Sequence, residues 1–522
     1  MGWAWEEQGG IAMREGLRFC ILCGSLATLW VSAAQSKPGL RSALEAYIGS
    51  HQREIVNELV DLVSIPNVGS DAENFQRNAS YIRGMLRDHG FRAEILETDV
   101  NPLVYGELKV PNATRTILVY AHYDGQPVDP RRWKQPNPFT AVLRDRRMED
   151  GGKDIKGFRQ LKTFHPDSRL YARSIADNKA AIVALLTALD ALKASGVAVT
   201  SNVRVLVDGE EESGSLGLSR ALPQYRDRLK ADLLLLLDDP VHPSGRPTVI
   251  FGARGALSLE LTTYGPKFGV HSGHYGNWVP NPGIRLARLL ASMKDDEGRV
   301  LIKGFYDGVE PLHPEEQSML EAVPDDHANL LKLFGIAAPE RVGLTLQQAL
   351  QLPTLNVRGL ASAYTGPDAR TIIPDTATAS LDVRLVKETP PREMAEKVLA
   401  HIRGLGFEVV ESEPSDPMRA SHPRIVKVVK GGGSSAYRTS PLLPESRQVT
   451  AALEQLFGER PVQIRTSGAT LPAAAMLIEE VGFPAISLPI VNFDNSQHSE
   501  NENLRLGHFF TGIQSIAAVL AM

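Results

Sequence analysis

Residues 40–240 alternate amphipathic helical segments with short apolar strands, and this alternation constrains the fold more than any other feature of the chain. Helical spacing of apolar residues runs over 42–64 and 75–90, and strand-length apolar runs follow at ILVYA (117–121), VRVLV (203–207) and LLLLL (233–237). Between the first two of these strands, NKAAIVALLTALDALKASG (178–196) has helical spacing and stops at Gly196. Such an order predicts an α/β fold with a mostly parallel sheet covered by helices. After residue 250 the period changes to two, in ALSLELTTY (256–264) and TASLDVRLV (378–386), with a helix after Pro390–Pro391. That pattern predicts an α+β unit with an antiparallel sheet. The glycine-rich KGGGSSAY (430–437) reads as a linker. Helices at 445–457 and 470–481, a strand at 484–490 and a helix near 505–521 then resume the first pattern. The expected organisation is therefore a catalytic domain in two parts, 35–247 and 439–522, with a second domain, 248–438, inserted between them.

With 522 residues, 43% hydrophobic and 22% charged, the chain can bury a large core, which excludes disorder. Its net charge of −5, without a long basic block, lacks the footprint that nucleic-acid binding needs, so no nucleic-acid partner is expected. No apolar stretch reaches the roughly 20 residues of a membrane-spanning helix, so no span is expected in the mature chain. Arg14 and Arg18 precede the apolar stretch 19–34, which ends in small residues with Ser32 and Ala34 at the −3 and −1 positions of a cleavage site. Residues 1–34 therefore read as a signal peptide, which predicts a secreted or periplasmic protein, bacterial in origin. Cys20 and Cys23 both fall inside that stretch, so no disulfide is expected in the mature fold.

Five residues of metal-ligating type follow predicted strands or precede a helix: His122 in AHYDGQP, Asp177 in ARSIADNKA, Glu212 in DGEEESGS, Asp238 in LLDDP and His498 in DNSQHSEN. The carboxyl ends of strands line the crevice of an open α/β sheet, so residues far apart in sequence can converge there. Two imidazoles and three carboxylates suit zinc or a similar divalent ion, and one shared carboxylate allows a pair roughly 3.5–4 Å apart. Taken singly the motifs are weak. An isolated HxD after a strand is commonly a satisfied turn, a run of Glu a solvated loop, and an Asp pair before Pro240 a capped turn.

As a set, these segments resemble the family of dinuclear zinc hydrolases that includes aminoacylase, carnosinase and glutamate carboxypeptidase. The segments occur in that family's order, and the insertion falls where the family carries its lid and dimerisation domain. The resemblance implies a zinc-exopeptidase-like catalytic domain and two Zn²⁺ per chain, with Mn²⁺ or Co²⁺ as alternatives. By the same resemblance His122 and Asp238 hold one ion, Glu212 and His498 the other, and Asp177 bridges them. Asp124 orients the His122 imidazole, and Glu211 is the general base. The family's glutamate pair directly precedes x-Gly-Ser, here Ser213-Gly214-Ser215, which selects Glu211 and Glu212 and leaves Glu210 spare. The family's spacing to Pro247 selects Asp238 over Asp239. One carboxylate must spend its charge on the metal while an uncoordinated neighbour moves the proton from a metal-bound water to the leaving amine.

The resemblance reaches further residues. His271, in GVHSGHYGN, matches a histidine that reaches across a homodimer to stabilise the oxyanion; the alternative is a turn histidine packed on Trp278. Thr371 and Arg384 match lid positions that hold the substrate's carboxylate, and Thr470 matches a hydroxyl position in the last catalytic segment. Two departures stand out. Asn178 follows the bridging position where many relatives carry Asp, and residues 145–168 are additional, reading as simply a solvated loop or, alternatively, as a border of the substrate entrance. The implied function is a metallopeptidase of dipeptidase or carboxypeptidase type, cleaving a small peptide near a free carboxylate. An amidohydrolase acting on N-acyl amino acids needs the same metals and base, and a non-catalytic binding protein on the same fold is a third reading.

Overall fold

The computed structural model describes residues 39–69 and 71–522. The expected signal peptide and both cysteines lie outside the described residues. Among the described residues no helix is long and apolar enough to cross a membrane.

Eight strands form the central sheet, in the order Arg92–Leu96, Leu103–Leu108, Asn202–Asp208, Thr116–His122, Leu233–Leu236, Ala485–Ser487, Thr248–Ile250, Val462–Ile464. The four middle strands, from Asn202–Asp208 to Ala485–Ser487, pair in parallel. The first two strands join antiparallel at one edge. The α/β architecture is as the alternation predicts. The strands Leu233–Leu236 and Thr116–His122 are apolar on both faces because helices cover both sides. One layer is helix Ala180–Ser195 packed against helices Leu40–Val63 and Leu506–Leu520. Helix Ala180–Ser195 is buried almost all round, which matches its lack of a polar face. On the other side of the sheet lie helices Leu216–Leu229 and Pro472–Val481.

A second sheet, of five strands, comes from residues 255–434, with the order Thr354–Ala361, Thr376–Leu385, Gly255–Tyr264, Ile425–Ser434, Glu408–Val410. Strand Thr376–Leu385 alternates strictly between buried and half-buried residues. Its apolar face packs on helices Pro282–Ala291 and Pro391–Gly404 in a core of its own. The other face is polar.

The structure differs from the sequence reading in two places. The glycine run at 430–437 is not a linker: Lys430 to Ser434 are the end of a strand paired with Gly255–Tyr264 across a bulge. Close approach favours glycine at two of these positions, since a Cβ on Gly431 would lie 3.0 Å from the Ser258 side chain and one on Gly433 3.3 Å from Pro391. Nor is 145–168 a free solvated loop. It leaves and re-enters a small antiparallel sheet, Val142–Arg144 with Arg169–Tyr171, and docks on the first helix. Phe164 is buried, its N–H donates to Gln52 Oε1 at 2.7 Å, and Arg159 donates to Asp61 at 2.6 Å.

Candidate metal centre

Three neighbouring parallel strands set the site. His122 ends strand Thr116–His122, the turn Glu211–Ser213 follows strand Asn202–Asp208, and Asp238 lies just past Leu233–Leu236. Because these strands are adjacent and point the same way, their carboxyl ends lie side by side. Asp177 lies in the tight turn that leads into helix Ala180–Ser195, and His498 lies on the long loop after strand Ala485–Ser487.

The structure brings the five predicted ligands together. His122 Nε2 lies 2.9 Å from Asp177 Oδ1 and 3.4 Å from Asp238 Oδ1. His498 Nε2 lies 3.1 Å from Asp177 Oδ2 and 3.2 Å from Glu212 Oε2. Asp177 thus turns one oxygen toward each histidine. Donor atoms of His122, Glu211 and Asp238 fall within 4.8 Å of one another, and so do those of Asp177, Glu212 and His498. Glu211, expected to be the uncoordinated base, therefore stands in ligand range of the first group.

Neighbouring groups hold this arrangement. Asp124 Oδ1 lies 3.1 Å from His122 Nδ1, so the Nε2 edge faces the carboxylates. The same Asp124 carboxylate accepts the backbone N–H groups of Glu211 (3.1 Å) and Glu212 (3.0 Å), so one side chain orients the imidazole and both glutamates. Asn178, the departure from the family pattern, has a defined task. Its amide nitrogen donates to the Leu237 carbonyl (2.6 Å) and Asp238 Oδ1 (3.1 Å), and its oxygen accepts from the His122 N–H (3.3 Å). Asp239 is engaged elsewhere, by the hydroxyls of Ser467 (3.1 Å) and Ser487 (2.5 Å). Glu210 caps helix Leu216–Leu229 by accepting the Gly217 N–H at 2.7 Å.

Sequence reasoning missed Glu502. It is fully buried and accepts from the N–H groups of Ser174 (2.8 Å), Ala176 (2.9 Å) and Asp177 (2.9 Å) and from Arg173 Nη1 (2.9 Å). It therefore moulds the turn that presents Asp177. Nothing in HSENENL separates this glutamate from the more exposed Glu500, because its partners lie more than 320 residues away.

The site is electrostatically crowded. Burial pushes the Asp177 carboxyl up, but hydrogen bonds from His122 and His498 outweigh this and hold it well below the usual carboxylate range. Burial raises Glu212 to about 7, with repulsion from Asp177 adding to the effect. Glu211 and Asp238 are also raised, by burial first and then by neighbouring carboxylates. Carboxylates and imidazoles crowded in this way are a donor set that divalent cations suit, since the cations offset the repulsion that burial magnifies. The residues fit such ions.

The remaining predicted residues fall into two groups. Arg384 Nη1 donates to Thr470 Oγ1 at 2.9 Å, joining the second sheet to the last catalytic segment. His271 and Thr371 lie in neighbouring segments, where the Ser272 N–H donates to the Thr371 carbonyl at 3.2 Å. His271 is exposed, its Nδ1 accepts from the Gly273 N–H (3.0 Å), and its ring lies 4.5 Å from that of His274. Trp278 is 86% exposed, so it does not hold that ring in a packed turn.

A model of peptidase family M20/M25/M40 matches residues 118–522. The Cys-Gly metallodipeptidase of Candida albicans is 24% identical over 488 residues, 90% of this chain and 94% of its own length. The human Beta-Ala-His dipeptidase is 24% identical over 515 residues, 93% of each chain. Among solved structures, an M20 family metallo-carboxypeptidase from Sulfolobus solfataricus superposes with a TM-score of 0.72 at 29% identity, covering 90% of this chain and 98% of its own. Human carnosine dipeptidase 1 does so with a TM-score of 0.70 at 23% identity, covering 93% and 99%. These comparisons correct the expected location. A secreted or periplasmic, bacterial protein is not supported, because dipeptidases matched over nine-tenths of the chain come from eukaryotes and the expectation rested on residues outside those described.

Replacing Glu502 by Gln puts an amide where backbone N–H groups converge, and should weaken retention of a divalent ion by about 10–100-fold. Competition with a chelator measures this, and Glu500→Gln should leave retention unchanged. Equal retention in both variants would remove Glu502 from the support of Asp177.

Proposed function

The chain belongs to peptidase family M20/M25/M40, and from that premise we propose that it is a dinuclear zinc exopeptidase of dipeptidase or carboxypeptidase type, acting on small peptides with a free carboxylate. The observation that carries this reading is Asp177, whose two oxygens face His122 and His498 from the two donor groups. In this reading His122 and Asp238 would hold one ion, Glu212 and His498 the other, and Asp177 would belong to both. Bound ions would supply the Lewis acidity that makes water a nucleophile near neutral pH. Asp124 keeps the His122 imidazole in its orientation. Glu211 takes the proton of the attacking water and returns it to the nitrogen of the leaving amine. Arg384 and Thr470 receive the substrate's carboxylate, where the planar guanidinium can bind both oxygens.

Residues 248–438 would serve as lid and dimerisation domain. The edge strand Thr354–Ala361 is exposed from Asn356 onward, and Phe268, Trp278, Leu360 and Tyr364 are exposed apolar side chains of the same segment. Unpaired strand edges and apolar patches of this kind favour a symmetric homodimer. In such a dimer the partner's His271 would complete each site as oxyanion donor.

A panel of dipeptides and N-acetyl amino acids tests the reaction class. Turnover of dipeptides is expected, and activity confined to the N-acetyl compounds would make the protein a deacylase instead. Glu211→Gln should keep its metal while turnover falls by roughly 10²–10⁴-fold, whereas Glu212→Gln should lose metal. The reverse result would shift the register along GEEES by one residue. For the shared site, His271→Ala and Glu211→Ala should each give inactive homodimers. Refolding the two together should restore about a quarter of wild-type activity, since half the dimers are mixed and each has one intact site. No recovery in mixtures shown to contain mixed dimers would place His271 in its own chain's site.

A further inference from the structure

The polar face of the second sheet carries a residue with no assigned task. Ala256 and Thr354 lie opposite Arg384 on its two neighbouring strands. Alternate residues of a strand share a face, so Arg254, two residues before Ala256, stands at the strand's end on the Arg384 side. Its N–H donates to the carbonyls of Ser467 (3.2 Å) and Ala469 (3.0 Å), the residues leading into Thr470. Arg384 reaches Thr470 from the sheet, as described above. The Arg254 backbone and the Arg384 guanidinium thus hold one loop, and the Arg254 guanidinium reaches the Leu352 carbonyl, two residues before the Thr354 that pairs with Arg384.

Their charges do not balance. Arg384 has an acidic partner, Asp382, at 3.1 Å. Arg254 has no acidic partner among the described residues. It is 6% exposed, its Nη2 donates to the Leu352 carbonyl at 2.6 Å, and its Nε is buried without an acceptor. Burial, and then the like charge of Arg384, lower the Arg254 guanidinium to about 10. Two cations against one carboxylate leave an excess positive charge in a partly desolvated place, and a buried charge without a partner is unfavourable until an anion arrives.

We propose that Arg254 is a second guanidinium of the pocket for the substrate's free carboxylate, sharing that anion with Arg384 beside Thr470. The assignment rests on the exopeptidase reading above and deepens it. Arg254 becomes a specificity-determining residue, and the ligand class is a peptide with an unblocked carboxyl terminus. A carboxylate supplies the missing negative charge and two acceptor oxygens, whereas the carboxamide of the same peptide brings no charge and a single acceptor oxygen.

The experiment compares a dipeptide with its C-terminal amide on the metal-loaded enzyme, for wild type, Arg254→Met and Arg254→Lys. Wild type should prefer the free acid. Both variants should raise KM for the acid by roughly 10–100-fold with kcat little changed, leave the amide's kinetics alone and keep their metal. The Tm of substrate-free Arg254→Met should not fall, because the charge removed had no counter-charge. An unchanged acid-to-amide ratio in either folded variant would overturn the proposal. So would equal losses on acid and amide accompanied by a lower Tm, which would mark Arg254 as structural. If wild type cleaves neither compound, the exopeptidase reading itself fails and the assignment fails with it; if wild type discriminates and the variants do so equally, Arg254 alone is wrong.

Discussion

Crowding of carboxylates in a buried crevice is the constraint on which the rest of the structure depends. Asp124, Asp177, Glu211, Glu212 and Asp238 converge with His122 on the ends of three parallel strands. Burial and mutual repulsion push Glu211, Glu212 and Asp238 toward their protonated forms. Such a cluster is tolerable where hydrogen-bond donors or cations stand against it. The fold supplies donors to Asp124, which accepts two backbone N–H groups. The oxygens of Asp177 face two imidazoles, and the rest of the negative charge is what suits the site to cations.

The support reaches from the crevice into the frame. Glu502 gathers three backbone N–H groups of the Asp177 turn and pairs with the buried Arg173, tying the C-terminal segment to the middle of the chain. Lys179, fully buried two residues after Asp177, donates to the Leu62 (3.1 Å) and Ile65 (2.8 Å) carbonyls at the end of helix Leu40–Val63, and burial pushes its amine well below the usual lysine range. Asp239 holds Ser467, and Ser467 and Ala469 receive the Arg254 N–H. The loop that presents Thr470 is therefore anchored to the strand end that presents Asp238. The candidate metal donors and the proposed carboxylate pocket share one scaffold.

Local periodicity made the frame legible. The strand at 117–121, the helix at 178–196 and the strand at 378–386 all appear within a few residues of their expected limits, because burial on one or both faces imprints itself on adjacent residues. Close approach does not. KGGGS reads as a flexible run until Ser258 and Pro391 are seen pressed against its glycines. Likewise 145–168 is charged enough to suggest solvent, and its docking depends on Gln52 and Asp61, nearly a hundred or more residues earlier. Within the site, His122, Asp177, Glu212, Asp238 and His498 are of ligand type and each follows a strand or starts a helix, but only the resemblance to the family separates Glu212 and Asp238 from their acidic neighbours in the sequence. Partners distant in sequence could not be picked out. Asp238 and Asp239 are adjacent and acidic, and what separates them is that Ser467 and Ser487 claim the second. Glu502 and Arg254 are invisible for the same reason, since their contacts lie with segments about a hundred to more than three hundred residues away.

The central claim is that Asp177 joins two donor groups into one dinuclear centre. Titration of Zn²⁺ into metal-stripped protein, followed by calorimetry and checked by elemental analysis, tests it most directly. The account predicts saturation at two ions per chain for wild type, and loss of most binding in Asp177→Ala because Asp177 belongs to one group and turns its other oxygen to His122 of the other. Saturation at one ion, or two ions still held tightly by Asp177→Ala, would contradict it.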